Sequence, residues 1–391
     1  MTPRRPHRSP LAALVTALVA APIAASSGCT SEVEPEPEPW VWELPDGFPE
    51  PAVPDDNPMS AAKVELGRHL FYDPRLSANE SLSCGGCHDQ ALGFADGKAL
   101  PTGSTGDTVP RSAMALANVA YMPTYTWANP NLLTLEEQAR VPIFGEAPVE
   151  LGATGHEDEI LGRFRGDDDY VQRFKGAFPG DDDPISFDNI VKAIASFERS
   201  MLSADSPYDR YFYGGEVDAL TPGAQRGLAL FFSERFECYH CHGGLNLTAA
   251  FYGSTSTQRE RAYFNNGLYN IDGVGGYPEP NVGLYAFTGE PADMGRFRAP
   301  SLRNIALTAP YMHDGSIATL EEVIDFYADG GRELLEGPNA GDGTMNPYKD
   351  PLVRGFTLTD DERADIIEFL ESFTDETFLA DPRFSDPFAG G

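Results

Sequence analysis

The sequence predicts a mainly α fold built from two similar halves with long ordered loops. One reason is an internal repeat, because Ala61–His88 and Gly223–His242 both carry G-x-x-L-F-aromatic followed by C-x-x-C-H. A second reason is helical periodicity, as in Thr359–Phe373, where Ile366 and Leu370 fall on one face. The third is that strand-like alternation is scarce in a chain with 39 glycines and 33 prolines.

The N-terminus has the pattern of a secretory signal peptide, residues 1–28. Three arginines precede an apolar run, Leu11–Ala25, and small residues follow it. The run is short for a membrane span, and no later segment reaches the ~18 apolar residues that a transmembrane helix needs. We therefore expect an exported protein of the periplasm or cell envelope. Cys29 follows the small residues as a lipidated cysteine would, and the alternative is a free thiol left after cleavage.

Residues 29–58 are rich in Pro and Glu and lack periodicity, which predicts an extended tether. The folded body is expected to hold two domains, residues 59–205 and residues 206–391. The whole chain has a formal net charge of -32. Because such a surface repels nucleic acid and anionic lipid, we expect no nucleic-acid partner, and membrane contact only through a lipid on Cys29.

Four of the five cysteines lie in the two copies of C-x-x-C-H. Two thiols at this spacing can form thioethers with the vinyl groups of a haem, and the following imidazole becomes the proximal ligand of the iron. A disulfide, a redox dithiol and a zinc site are the alternatives, but a dithiol does not need the histidine and zinc sites use other spacings. The pattern therefore predicts two covalent haems. The residues are Cys84, Cys87 and His88 in the first copy and Cys238, Cys241 and His242 in the second.

The far side of the first iron is short of imidazoles. The chain has seven histidines, and none lies between His88 and Trp127. Met114 and Met122 are the other candidate ligands there, although a lone Met among apolar residues more often packs in the core. We expect an open sixth coordination position, where peroxide can bind.

Tyr327 lies on the buried stripe of a predicted helix. Thr319 and Glu322 form a T-x-x-E capping box, and Gly330 supplies the stop signal. Apolar residues recur at i, i+3, i+4 and i+7, and Leu320 begins this series. The phenol is either core filling with a satisfied hydroxyl or an oxygen ligand to a metal in the core.

Several stretches of the chain match one family in order and at compatible spacing between Ala61 and Phe373. They include LGRHLFYDPRLS, SCGGCH, ALANVAY, LEEQARVPIFGEAPVELG, SFERSMLSADSPYDR, CYHCH, FRAPSLRNIALTAPYMHDG and ATLEEVIDFY. The sequence thereby resembles the bacterial dihaem cytochrome c peroxidase and MauG superfamily. The resemblance implies two cytochrome c-like domains with one covalent haem each, the first high-spin and peroxide-binding, the second low-spin.

Two departures from the peroxidase branch are informative. Classical dihaem peroxidases carry a switchable His after the first C-x-x-C-H, and here that loop has none. They also carry an axial Met where this chain has Tyr327, which resembles MauG. A phenolate is hard and anionic and stabilises ferric and higher states, whereas a thioether stabilises ferrous iron. The resemblance thus implies that Tyr327 ligates the second iron, with Met312 and Met294 as competing ligands.

Other site residues follow from the resemblance one at a time. Trp127 aligns with the Trp that relays electrons between the haems, and the alternative is a plain core Trp. Glu150 aligns with the distal-pocket carboxylate that moves a proton during O–O cleavage, and Gln138 with its neighbour. The alternative for Glu150 is a solvated loop acid.

A calcium ion between the haems is also implied. Asn118, Thr308 and Pro310 align with residues that hold this ion through one side-chain oxygen and two backbone carbonyls. Oxygen ligands with waters completing the shell suit Ca²⁺.

Within the superfamily, LYNIDGVGGYP, TGEPADMGRFRAPSLRN and PYMHDGSIATLEEV look most like the MauG-like enzymes of copper-associated systems. That resemblance implies an oxidase that uses hydrogen peroxide to form a high-valent dihaem state and then oxidises an exported protein, converting a Trp to kynurenine on a small copper-binding partner. One alternative is a peroxidase that reduces peroxide to water with electrons from a small cytochrome or cupredoxin. Another is a pure electron-transfer cytochrome, which needs two six-coordinate irons.

Overall fold

The structure, a computed structural model, describes residues 40–389, which belong to one compact unit of the chain. It confirms the mainly α prediction. The α-helices are α1 (Ala61–Tyr72), α2 (Leu135–Phe144), α3 (Glu157–Arg165), α4 (Asp168–Ala177), α5 (Phe187–Ser200), α6 (Pro207–Phe212), α7 (Pro222–Phe231), α8 (Tyr239–His242), α9 (Tyr285–Thr288), α10 (Leu320–Asp329), α11 (Asp360–Glu371) and α12 (Glu376–Leu379).

Other regular elements are short. Two antiparallel strand pairs join β1 (Tyr263–Phe264) to β2 (Phe297–Arg298) and β3 (Glu333–Leu334) to β4 (Gly341–Asp342). Three-residue 3₁₀ helices lie in the connections at Pro74–Leu76, Cys84–Gly86, Gln90–Leu92, Val119–Tyr121, Pro291–Asp293, Ile305–Leu307 and Gly343–Met345. None of the helices in this part of the chain is long and apolar enough to cross a membrane.

The predicted helix signals are confirmed at α10. The Thr319 side chain accepts a hydrogen bond from the Glu322 backbone N–H, and the Glu322 carboxylate accepts one from the Thr319 backbone N–H. Both backbone donors at the start of the helix are therefore satisfied. Gly330 ends the helix at φ 76°, in the left-handed region that glycine adopts without steric cost.

Each half is organised around one close helix crossing, and the repeat motif supplies the glycine that permits it. In the first half α1 packs against α5, and a Cβ on Gly67 would lie 2.0 Å from the Ala193 carbonyl oxygen. In the second half α7 packs against α11, and a Cβ on Gly227 would lie 2.0 Å from the Asp365 carbonyl oxygen. Both copies therefore need glycine at the G of G-x-x-L-F, because any side chain there would clash with the facing helix.

Replacing Gly67 or Gly227 with Ala is expected to lower the free energy of unfolding by about 1–3 kcal/mol, because the added methyl forces the helices apart. Gly162→Ala in α3 is the control, since the space around that Cβ position is open. It is expected to stabilise by up to about 1 kcal/mol through helix propensity. Urea unfolding of the haem-loaded variants measures these free energies. If all three variants change the free energy of unfolding equally, the close helix crossings do not require glycine.

The apolar side chains form two clusters, one in each half. The first holds buried residues from Leu66 to Met201 with two more near the C-terminus, and the second holds Ala128 and buried residues from Tyr208 to Phe373. The last residues of the chain were predicted with the second domain, yet Phe378 and Phe384 are buried in the first cluster. This C-terminal segment, residues 376–389, is also held by hydrogen bonds.

Three side chains of the first half donate these bonds to backbone carbonyls of the C-terminal segment. The Tyr72 hydroxyl donates to Phe384 O at 2.7 Å, and Arg68 Nη1 donates to Ser385 O at 2.9 Å. Gln90 Nε2 donates to Asp381 O at 2.9 Å.

The predicted tether is wrong in its last part. Phe48 is buried and packs on the Tyr213 ring with centroids 5.2 Å apart. Asn57 is fully buried and donates to Glu136 Oε1 at 2.6 Å. Apolar and amide groups among the prolines therefore join this stretch to the body. The signal peptide prediction, Cys29 and residues 29–39 of the tether lie outside the described residues.

Candidate functional site

The first C-x-x-C-H motif opens onto a cavity of about 370 Å³ in the first half, lined by Cys84, Cys87 and His88. The His88 Nδ1 atom lies 2.8 Å from the Phe94 carbonyl oxygen. A carbonyl oxygen can only accept, so Nδ1 carries the ring proton and donates it to this bond. The lone pair of Nε2 is then available to ligate an iron. Burial lowers the pKa of His88, so the ring is held as the neutral imidazole that binds metal.

The second motif has the same design around a smaller cavity of about 190 Å³, lined by Cys238, Cys241 and His242. His242 Nδ1 lies 3.2 Å from the Pro300 carbonyl oxygen, which again leaves Nε2 for a metal. Burial lowers the pKa of His242 to about 4. The four cysteines of the two motifs form no disulfide with one another, so their sulfurs are available for thioether bonds.

Arg298 shows that the cavities suit a group that carries carboxylates. It lines both cavities and is buried, and burial lowers its pKa to about 10. Its Nη1 faces Met122 Sδ at 2.7 Å and its Nη2 faces Met114 Sδ at 3.4 Å. Thioethers are weak partners for a buried cation, whereas haem propionates would be strong ones. The residues present therefore fit two covalent haems.

The lining of the first cavity includes the predicted distal residues. Gln138 on α2 and Glu150 on the following loop both line it, and His88 is the one histidine of its lining. Glu150 is half-buried, and burial raises the pKa of its carboxyl. This location does not match the alternative of a solvated loop acid.

Close backbone packing positions the Glu150 loop. A Cβ on Gly103 would lie 1.9 Å from the Val149 carbonyl oxygen, so only glycine allows this approach. Ser104 N then donates to Glu150 O at 2.8 Å, and Ala78 N donates to Leu151 O at 2.8 Å. The carboxylate is thus carried on a loop anchored on both sides.

Trp127 is shared by the two cavities, since its side chain lines both. Its Nε1 donates to the Ser112 carbonyl oxygen at 2.8 Å, and its own carbonyl accepts from Arg298 N at 2.8 Å. The first bond fixes the indole and the second fixes the backbone of Trp127, so the residue is held in the lining of both cavities.

Tyr327 faces the second cavity, and so do the other apolar residues of the predicted buried face of α10. Leu320, Val323, Ile324 and Tyr327 all line it. Burial raises the pKa of Tyr327, so the phenol keeps its proton until a metal displaces it. Among the competing ligands, Met312 lines both cavities, while Met294 is outside the linings.

The three residues of the predicted calcium site do not share one lining. Thr308 and Pro310 border the first cavity. Asn118 is fully buried, and its Oδ1 accepts from Ser203 N at 2.6 Å while its Nδ2 donates to Ser203 O at 2.9 Å. The side chain of Asn118 therefore ties down the chain after α5.

Two residues of the site were missed in the sequence. Arg298 is one, and Glu198 on α5 is the other. Glu198 lines the first cavity, and burial raises its pKa to about 8. Its Oε2 is buried without a hydrogen-bond partner in the described part of the chain. The sequence carries no clear signal for this burial, because α5 also holds Asp188 and Lys192 and reads as an amphipathic helix.

Comparison with known proteins agrees with this site. A family profile described as di-haem cytochrome c peroxidase matches residues 61–217. A solved MauG-like protein associated with microbial copper homeostasis is 52% identical, with 89% of this chain and 99% of that chain covered and a TM-score of 0.87.

Two curated relatives are also similar over most of their length. Cytochrome-c peroxidase IdrP1 of Pseudomonas sp. is 35% identical over 84% of each chain. Methylamine utilization protein MauG of Methylorubrum extorquens is 31% identical over 85% of this chain and 83% of its own. The chain therefore belongs to the dihaem cytochrome c peroxidase and MauG family and is a dihaem peroxidase or oxidase with two cytochrome c-like domains.

Proposed function

We propose that this enzyme uses hydrogen peroxide to oxidise a side chain of a partner protein, namely a tryptophan that becomes kynurenine on a small exported copper-binding protein. The first haem would be held by Cys84, Cys87 and His88, and the second by Cys238, Cys241 and His242. When bound, the haems supply iron centres that accept peroxide and store two oxidising equivalents.

Glu150 and Gln138 serve the peroxide step. The Glu150 carboxylate takes the proton from the inner peroxide oxygen and returns it to the outer oxygen, which leaves as water. Gln138 on the neighbouring helix orients the peroxide by hydrogen bonding.

The observation that carries the proposal is the position of Trp127 in the lining of both cavities. An indole there gives electrons a short intermediate step between the haems. Tyr327 adds to it, because an anionic oxygen ligand on the second iron favours its oxidised states. Tyr327 would thus hold the second haem with a ligand that favours storage of an oxidising equivalent over entry of reducing electrons.

The partner is inferred from similarity and charge. The solved relative at 52% identity is associated with microbial copper homeostasis. A chain with a formal net charge of -32 favours a neutral or basic protein partner. Both partners would meet outside the cytoplasm, after export by residues 1–28 and with or without a lipid on Cys29.

The same proposal assigns residues 59–205 to the domain of the first haem and residues 206–391 to that of the second, except that the C-terminal segment, residues 376–389, packs on the first domain. It includes one calcium ion at Asn118, Thr308 and Pro310, held by oxygen ligands. Metal analysis of the purified protein after dialysis checks the ion, and a calcium content near zero in active enzyme would remove it.

A second candidate is a peroxidase that reduces peroxide to water with electrons from a small cytochrome or cupredoxin. One curated relative favours it, since IdrP1 is named a cytochrome-c peroxidase. In the first candidate a tryptophan of the partner protein supplies the electrons, whereas in the second a small cytochrome or cupredoxin supplies them.

One experiment separates the two candidates. The fully ferric protein receives stoichiometric peroxide, without prior reduction, in the presence of either a copper-binding partner protein or a reduced small cytochrome. Mass spectrometry of the partner for kynurenine and absorbance of the cytochrome give the two readouts. Kynurenine formation supports the first candidate, whereas rapid cytochrome oxidation with an intact partner supports the peroxidase.

A further inference from the structure

The two C-x-x-C-H motifs differ in the pair of residues between their cysteines. The first copy has Gly85 and Gly86, and the second has Tyr239 and His240. In the first copy a side chain cannot be added cheaply, because a Cβ on Gly85 would lie 2.4 Å from the Tyr72 ring. The second copy therefore places an oxidisable aromatic ring where the first has none.

Tyr239 is at the surface and has a proton acceptor in place. Its ring is half-buried, and its hydroxyl donates to Glu234 Oε1 at 2.7 Å. Glu234 itself is exposed. The ring lies 4.0 Å from the exposed His240 ring and 5.9 Å from the exposed Phe232 ring, measured between centroids. These side chains form a small aromatic surface around the second motif.

The covalent path from this ring to the second haem is short. Tyr239 follows Cys238 directly in the chain, so their Cα atoms are about 3.8 Å apart. Cys241 is two residues further on and lines the second cavity with Cys238. Tyr239 is therefore close to the edge of a haem attached to Cys238 and Cys241. Its ring is also accessible from the surface, where a partner protein can dock.

We propose that Tyr239 is a redox-active exit site that carries oxidising equivalents from the second haem to the partner, with Glu234 as its proton acceptor. Once hydrogen peroxide has oxidised the second haem, Tyr239 gives one electron to that haem. The phenolic O–H bond breaks at the same time, and the proton bonds to Glu234. One electron from an oxidisable aromatic side chain of the partner then reduces the neutral tyrosyl radical, and Glu234 returns the proton. This inference rests on the proposed function.

Two other tyrosines of the second half, Tyr269 and Tyr285, lack this combination. Tyr269 donates to Asp314 Oδ2 at 2.6 Å, but its ring is only 6% exposed and borders neither cavity. Tyr285 is half-buried, and it is far along the chain from either cysteine pair. Tyr269→Phe and Tyr285→Phe are therefore matched controls, one for the phenol–carboxylate pair and one for surface position.

The test uses the haem-loaded protein, mixed with peroxide in the absence of a partner and frozen at successive times for EPR. The wild type is expected to form a radical whose signal narrows when ring-deuterated tyrosine is incorporated. Tyr239→Phe is expected to lose this signal and to prolong the peroxide-oxidised haem spectrum at least about tenfold, which corresponds to about 1.4 kcal/mol. Glu234→Gln keeps the phenol and is expected to slow radical formation.

The initial rate of the Soret change separates failure of the inference from failure of the proposed function. It is expected to be the same in wild type, Tyr239→Phe and both controls, because none of these residues lines the first cavity. A radical and a haem lifetime that are unchanged in Tyr239→Phe, with a normal Soret response, overturn the exit site alone. A wild-type protein whose haems do not respond to peroxide overturns the proposed function and the exit site together.

Discussion

Tyr327→Phe is expected to abolish the long-lived oxidised state that ferric enzyme forms with peroxide, with a lifetime at least about tenfold shorter. The phenolate oxygen is lost, and the nearby Met312 sulfur is the remaining candidate ligand in the second cavity. A thioether stabilises ferrous iron, so the midpoint potential of the second haem should also rise. Potentiometric titration and the near-infrared band after stoichiometric peroxide measure the two effects.

Met312→Leu is the control for this variant, since it removes the competing sulfur and leaves the phenol in place. We expect it to retain the wild-type potential and near-infrared band. If Tyr327→Phe keeps the wild-type potential while Met312→Leu changes it, the ligand is Met312 and the assignment of Tyr327 is wrong.

Glu150→Gln is expected to slow the reaction with peroxide by about 10²–10⁴-fold, because the amide cannot carry the proton between the two peroxide oxygens. Stopped-flow measurement of the initial Soret change gives the rate. Glu146→Gln is the matched control, since Glu146 is an exposed acid of the same loop. A small effect of Glu150→Gln, equal to that of the control, would show that another group moves the proton.

The pH dependence of the same rate gives a second readout for Glu150. Burial raises the pKa of this carboxyl, and only the ionised form accepts a proton. The wild-type rate should therefore fall as the pH drops through that pKa, at a higher pH than an exposed glutamate with a pKa of about 4.3 would show. Glu150→Gln should lose this limb of the profile.

The local features of the fold could be predicted because each depends on residues close in sequence. The capping box at Thr319 and the stop at Gly330 are signals of this kind. The haem motifs are equally local, since thiols two residues apart and an adjacent imidazole define the attachment site.

The missed features all depend on contacts between distant segments. Phe378 and Phe384 are ordinary apolar residues in the sequence, and nothing near them shows that they pack with residues more than 170 positions earlier, such as Phe197. Glu198 reads as a polar residue of an amphipathic helix until the neighbours that bury it are known. The position of Trp127 between two cavities followed from family resemblance and not from periodicity.

The C-terminal segment, residues 376–389, has a consequence for how this protein matures. Synthesis proceeds from the N-terminus, so Cys84 and Cys87 are made well before the residues that complete the first hydrophobic cluster. That cluster is incomplete until Phe378 and Phe384 have been made. We therefore expect the first pair of thiols to stay open to haem attachment until the chain is finished, and the two halves to be inseparable as independently folding pieces.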